Sequence, residues 1–259
     1  MAKKTRVDLL LVERGLAESR SLAQRLVMAG QVRINDQVVD KPSIKVDQDV
    51  VLTVDRGPRF VSRGGEKLQA AFDAFDIDVT GLICADLGAS TGGFTDCLLQ
   101  HGAVKVYAID VGQGILHWKL RNDPRVVVME GTNARYLEKL PEPVEFVTVD
   151  ASFISLKNLL PVVKGWGLKQ LLILIKPQFE AGRKEVARGK GVVRDAKIHR
   201  RVLLDVLDFA IDNSYQVNGL ARSPVLGPKG NVEFLGWLGI NSGESAADLS
   251  LDKLVSTVI

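Results

Sequence analysis

From Gly65 onward the chain trades helix-type for strand-type stretches, one after the other, and that exchange leaves few folds open. Residues 66–75, 94–100, 156–163 and 199–211 read as helices; residues 82–87, 104–109, 126–129, 144–149 and 168–175 read as apolar strands. Strands separated by helices cannot pair as hairpins, so each connection crosses over and the strands lie parallel, with helices on both faces. The last two strands, 215–225 and 232–240, are joined only by a loop that contains Gly227-Pro228-Lys229-Gly230-Asn231. That loop is too short for a crossover helix, which predicts an antiparallel pair. The expectation is an α/β domain whose parallel sheet is closed by an antiparallel terminal strand.

Composition narrows the function classes. With 46% apolar and 25% charged residues over 259 positions, disorder, collagen and a disulfide-stapled miniprotein are excluded. The longest apolar run, 171–175, is closed by Lys176 and Pro177 and falls far below the roughly 18 residues that span a bilayer. Basic residues in 1–4 are followed by Asp8, Glu13 and Arg14, so no signal-peptide core forms, and the expected location is the cytoplasm without membrane contact. Cys84 and Cys97 sit in apolar surroundings, and no His, Cys or carboxylate cluster has ligand spacing; buried thiols and no metal are expected. No feature speaks for a particular oligomeric state. Residues 1–63 hold 12 Lys plus Arg against 8 acids, while the remaining 196 hold 22 against 23, so the basic excess is N-terminal.

That N-terminal segment reads helix, helix, hairpin. Val7, Leu9, Leu10, Leu11 and Val12 make a short helix ending at Gly15, and Ser19 caps a second that runs to Gly30. Leu22, Ala23, Leu26 and Val27 form its buried stripe, which leaves Arg20, Gln24 and Arg25 facing outward. Val32 and Ile34, an Asn35-Asp36 turn and Val38-Val39 follow as a hairpin, with a further strand at 49–54. The stretch Ser19-Arg20-Ser21-Leu22-Ala23 through Gln31-Val32-Arg33-Ile34-Asn35 resembles the S4 RNA-binding domain. That resemblance implies a basic surface lying along structured RNA, for which Arg6, Arg20, Arg25 and Arg33 are the candidates. The boundaries expected are an S4-like domain at 1–55, a linker at 56–64, the main domain at 65–242 and a peripheral tail at 243–259.

The strand ending Ala85-Asp86-Leu87 runs into Gly88-Ala89-Ser90-Thr91-Gly92-Gly93-Phe94 and then a helix. A glycine turn at the carboxyl end of the first strand is where open α/β sheets take ligands. Phe94 follows Gly93 where a P-loop needs Lys, and Gly88, Gly92 and Gly93 miss the dinucleotide spacing. Asp110 closes the second strand, where a carboxylate suits the ribose hydroxyls of either NAD or S-adenosylmethionine; Asp86 before the loop favours the latter, which presents a cationic amino-acid end. Asn133, after the third strand, is placed to contact adenine.

Asp150 ends the fourth strand and Lys176 the fifth; Lys67 opens the first helix of the body and Glu233 starts the last strand. The stretches Asp86 to Thr95, Asp150-Ala151-Ser152-Phe153-Ile154-Ser155-Leu156, Lys176-Pro177-Gln178-Phe179-Glu180 and Gly230-Asn231-Val232-Glu233-Phe234, taken together, resemble the TlyA, or haemolysin A, family. The resemblance implies an S4 domain coupled to an FtsJ-like body with the Rossmann-like sheet of class I methyltransferases. It implies S-adenosylmethionine as methyl donor, cytidine riboses of ribosomal RNA or ribosomal subunits as target, and a catalytic tetrad of Lys67, Asp150, Lys176 and Glu233.

A ribose hydroxyl attacks a sulfonium methyl only when its proton is removed and its oxygen aimed. Lys176 is the candidate for that task, its ordinary pKa of about 10.4 lowered by partial burial and by Lys67 nearby, and raised by Asp150 and Glu233. Asp150 is expected to orient Lys176, and Glu233 to position Lys67 or the ribose. Methylation of an exocyclic nitrogen would call for prolines that Asp150-Ala151-Ser152-Phe153 lacks, and a cysteine mechanism for a thiol that neither Cys84 nor Cys97 places in the crevice. Two competing readings are a membrane-lytic haemolysin and an S4 binding module with an inactive body.

Overall fold

The computed structural model describes residues 4–55, 57–240 and 250–259. The chain divides into two compact units, 1–59 and 60–259.

In the first unit a short strand β1 (Lys4–Arg6) precedes helices α1 (Val7–Glu13) and α2 (Arg20–Met28), then β2 (Val32–Ile34), β3 (Gln37–Val39), β4 (Lys45–Asp47) and β5 (Leu52–Val54). Ser19 Oγ accepts from Leu22 N at 3.2 Å and starts α2. Asn35 and Asp36 both take positive φ, 46° and 67°, which suits a two-residue hairpin turn between β2 and β3. Val7, Leu11, Ala23, Val27 and Val32 are fully buried and make the core. The antiparallel pair β1 and β4 is not anticipated by the sequence, because three residues carry no readable period.

The second unit holds one seven-stranded sheet. Its elements are α3 (Gly64–Ala74), β6 (Ile83–Leu87), α4 (Gly93–Gln100), β7 (Lys105–Ile109), α5 (Trp118–Arg121), β8 (Val126–Met129), β9 (Phe146–Val149), α6 (Leu160–Lys164), β10 (Gln170–Ile175), α7 (Pro177–Glu180), α8 (Arg183–Arg188), α9 (Ala196–Asp212), β11 (Tyr215–Arg222), β12 (Phe234–Ile240) and α10 (Leu251–Ser256). The strand order is β11-β12-β10-β9-β6-β7-β8, and β12 is antiparallel to both of its neighbours. The final strand is therefore antiparallel as expected, but it slots between β10 and β11 and leaves β11 at the edge. Each strand feeds two cores by alternation: Leu171, Ile173 and Ile175 pack toward α6, α9 and α10, and Leu172 and Leu174 toward α3 and α4.

Three boundaries differ from the sequence reading. The helix expected over 156–163 is two pieces, a 3₁₀ turn at Leu156–Asn158 and α6, which Pro161 opens at its first turn. Phe60 belongs to the body: it is 3% exposed, and Gly65 packs so closely on its ring that an added Cβ would fall 2.2 Å from Phe60 Cγ. Linker composition covers only the residues before it. Of the expected tail, 241–249 lie outside the described residues, but α10 is not peripheral. Leu251, Leu254, Val255 and Val258 share one helical face against the core, with Val255 fully buried.

Candidate active site

The sheet register assembles the site. Leu87 pairs with Ile109 and with Val149, so Gly88, Asp110 and Asp150 leave neighbouring strands at the same level. Val149 pairs with Ile173, which carries Lys176 further out along the same strand. Gly88, at φ +85°, lies so close to β9 that a Cβ there would come within 2.6 Å of the Asp150 carbonyl oxygen. Only glycine fits that crossing.

Two cavities meet at this edge and share Gly88, Ser90 and Asp150. The larger, about 450 Å³, is lined by Ile109, Asp110, Val111, Ile115, Asn133 and Phe153, among others. An apolar slot with one carboxylate at a strand end fits an adenosine. The smaller, about 240 Å³, takes in Ala89, Gly93 and Phe94 from the loop together with Lys67 and Gly227. Gly92 lines neither; it turns the chain at φ +95°, and a Cβ there would strike Leu120 Cδ1 at 2.2 Å. Asp110 accepts from Ser90 N at 2.8 Å and from Gly112 N at 2.7 Å, so it braces the loop while facing the larger cavity. Asn133 lines that cavity too and caps Arg135 N at 3.1 Å.

Asp86 corrects the sequence reading, for it reaches neither cavity. It is fully buried beneath the loop, taking Thr95 N at 2.9 Å, Thr95 Oγ1 at 2.6 Å and Thr148 Oγ1 at 3.0 Å. Ala85 and Leu87 face one side of the sheet, which turns Asp86 to the other, toward α4. It fastens loop to strand and does not meet a cationic ligand. Burial pushes its carboxyl up to about 6 against the pull of those hydrogen bonds.

The four tetrad candidates form two ion pairs. Lys176 Nζ lies 2.5 Å from Asp150 Oδ1 and donates to Ser152 Oγ at 3.0 Å. Lys67 Nζ lies 2.5 Å from Glu233 Oε2, and Gln178 Nε2 approaches Glu233 Oε1 at 3.4 Å. Gln178 thus links the pairs, since it follows Lys176 by two residues, and Lys67 and Asp150 line the same cavity. Glu233 is wholly buried, so of its two expected roles its contacts match the positioning of Lys67. A Cβ on Gly227 would sit 2.0 Å from Glu233 Oε1, so that glycine is required for the close approach.

Sequence reasoning missed three groups here. Ser152 and Gln178 lie within the quoted motifs, and Gln178 Oε1 is buried with no partner. Glu130 follows β8 just as Asp110 follows β7, a position that could have singled it out. It accepts from Gly114, Ile115 and Leu116 N at 2.9, 3.1 and 3.1 Å and from Arg121 Nη2 at 2.7 Å. The Gly114 N–H first, then Arg121, hold it down to about 2. Glu130 thereby fixes the loop that carries Val111 and Ile115 into the larger cavity.

In the first unit the candidate arginines divide. Arg6 forks onto the fully buried Asp8 at 2.9 and 3.0 Å, and Arg20 Nε and Gln24 Nε2 reach the same carboxylate at 3.0 Å each. Arg6 first among these, they hold Asp8 well below the usual carboxylate range. Arg25 and Arg33 are exposed, Arg33 donating to the Asp36 carbonyl at 3.1 Å.

Comparison with known proteins adds the following. The family model of FtsJ-like methyltransferases matches residues 60–240, and that of the S4 domain matches residues 5–52. The 16S/23S rRNA (cytidine-2′-O)-methyltransferase TlyA of Mycobacterium tuberculosis is 45% identical over 265 residues, covering 100% of this chain and 98% of that protein. Hemolysin A of Brachyspira hyodysenteriae is 42% identical over 235 residues, 89% of this chain and 98% of that protein. A solved structure from Streptococcus thermophilus superimposes with a TM-score of 0.72 at 43% identity, covering 99% of this chain and 96% of that one.

Proposed function

The chain belongs to the TlyA, or haemolysin A, family, in which an S4 domain precedes an FtsJ-like methyltransferase body, and on that footing we propose that it methylates the ribose 2′-oxygen of a cytidine in ribosomal RNA. S-adenosylmethionine, when bound, supplies a methyl group on a cationic sulfur, open to direct displacement. The observation that carries the reading is the Lys176 and Asp150 pair at 2.5 Å, on the strand ends where the two cavities join.

Asp110 and Asn133 would hold the adenosine half, and the loop from Gly88 to Phe94 the amino-acid half. Lys176 takes or shares the proton of the 2′-hydroxyl through Nζ, which has three hydrogen-bonding directions; Asp150 and Ser152 occupy two and fix the third. Lys67, anchored on buried Glu233, keeps a positive charge at the wall of the smaller cavity. The S4 unit docks on the RNA, through ribosomal subunits or free ribosomal RNA, and the enzyme works with them in the cytoplasm. No described helix is long and apolar enough to cross a membrane.

The test is transfer of tritium from labelled S-adenosylmethionine to ribosomal RNA or subunits from cells lacking the protein, followed by mapping of the labelled nucleotide. Label on a cytidine ribose is expected; label on a base, or none, refutes the reading. A liposome-leakage assay on the same preparation should be negative.

A further inference from the structure

The second unit is nearly neutral as a whole but not in its parts. Residues 183–201 carry eight Lys plus Arg against two acids, whereas the rest of 64–259 carries fourteen against twenty-one. Some of that excess is neutralised: Arg201 forks onto Glu185 at 2.8 and 2.6 Å, and Arg200 meets Asp252 at 2.7 Å. Lys184, Arg188, Lys190, Arg194 and Lys197 are exposed and form no ion pair among the described residues.

These cations border the tetrad. Lys190 and Gly191 line a third cavity, about 510 Å³, together with Gln178 and Phe179, which follow Lys176. A Cβ on Gly191 would lie 3.6 Å from Lys229 Nζ, so a second exposed lysine stands against the same turn. Asn231 stitches the two segments: it accepts from Val193 N and donates to the Gly191 and Pro228 carbonyls, all at 3.0 Å, two residues before Glu233. Lys190 and Lys229 both hold left-handed backbone, φ +51° and +59°. Such conformations persist in lysine only where the surroundings impose them, and they cluster at ligand-holding segments. The positive charge is thus locked beside the reacting groups on a stitched turn.

We propose that Lys190 and Lys229, with Lys184, Arg188, Arg194 and Lys197 around them, form a phosphate-binding platform that grips the RNA strand flanking the target nucleotide. The inference rests on the RNA methylation reading above. Aiming a ribose oxygen at a methyl group requires that the strand be held close to it, and lysines bind phosphates without reading sequence.

The test uses the full-length protein with Lys184, Arg188, Lys190 and Lys229 all changed to Gln, positions whose exposure spares the core. Each cation withdrawn from a phosphate should lower the dependence of log affinity on log salt by about 0.7–0.9, so the slope for ribosomal RNA should drop by roughly three. The KM for RNA should rise about tenfold or more at moderate salt, with kcat and the Kd for S-adenosylmethionine unchanged. A control with Lys139, Lys164, Lys169 and Lys253 changed to Gln should keep the wild-type slope. An unchanged slope in the platform variant, an equal change in the control, or a matching loss of S-adenosylmethionine affinity overturns the platform. A wild-type protein that binds ribosomal RNA with the expected slope but places no methyl on it refutes the activity reading instead.

Discussion

Lys176 and Glu233 leave the sheet side by side, because Ile175 and Phe234, the residues just inside them, are paired Cα to Cα in the ladder of β10 and β12. One antiparallel register thus sets a lysine of one ion pair next to the acid of the other, with Gln178 bridging to Glu233. Positions so far apart in sequence meet through strand pairing.

Breaking one member of the buried Lys67 and Glu233 pair should destabilise the protein by about 3–5 kcal/mol, since the survivor keeps an uncompensated charge. Glu233→Gln should show this loss in urea unfolding. Adding Lys67→Met should restore most of it, while methyl transfer stays abolished in both singles and the double.

Lys176→Ala and Lys176→Arg should lower kcat by about 10²–10⁴-fold, the range of a positioned proton acceptor, without changing the Kd for S-adenosylmethionine. Ser152→Ala removes one of the acceptors that aim Nζ and should cost about 1 kcal/mol, roughly fivefold in kcat. Single-turnover assays beside calorimetry separate chemistry from binding.

Asp86 sits at about 6 in the folded protein against an ordinary value near 4. Between those values the folded state holds a proton that the unfolded state has released, so stability falls as pH rises from about 4 to 6. Asp86→Asn still accepts from Thr95 and can donate to Thr148, and it should flatten that decline. Urea midpoints from pH 4 to 7 for both proteins give the difference; parallel curves refute it.

Glu130→Gln removes the charge that gathers three backbone N–H groups and Arg121. The KM for S-adenosylmethionine should rise about tenfold, the value of one charge-assisted hydrogen bond, with the KM for RNA unchanged. Because Glu130 is held down to about 2, its contribution is fully present above about pH 4.5 and fades as pH falls toward 2.

Asp8→Asn should loosen Arg6 and Arg20 together and weaken RNA binding, read by filter retention, while S-adenosylmethionine affinity stays at the wild-type value.

Much of this was legible in the chain. The strand and helix alternation, the cap at Ser19, the turn at Asn35-Asp36 and the antiparallel last pair all follow from local chemistry. The ends of β6, β7, β9 and β10 could be read from the apolar runs that stop at Leu87, Ile109, Val149 and Ile175. What local reading did not yield depends on parity and distance. Asp86 stands next to the loop in sequence yet points away from it, because strand side chains alternate. Arg6 and Arg20 look like solvated cations until Asp8 folds between them. The basic stretch at 183–201 was averaged away by acids elsewhere in the body.

The insertion of β12 between β10 and β11 also sets an order of events during synthesis on the ribosome. The nascent chain has its glycine loop, its adenosine slot and Lys176 in hand well before Phe234 emerges, yet Glu233 arrives only with the final strand. Until that strand threads into place, Lys67 has no counter-ion and the catalyst stays unfinished. Fragments that stop short of it should capture the methyl donor without spending it.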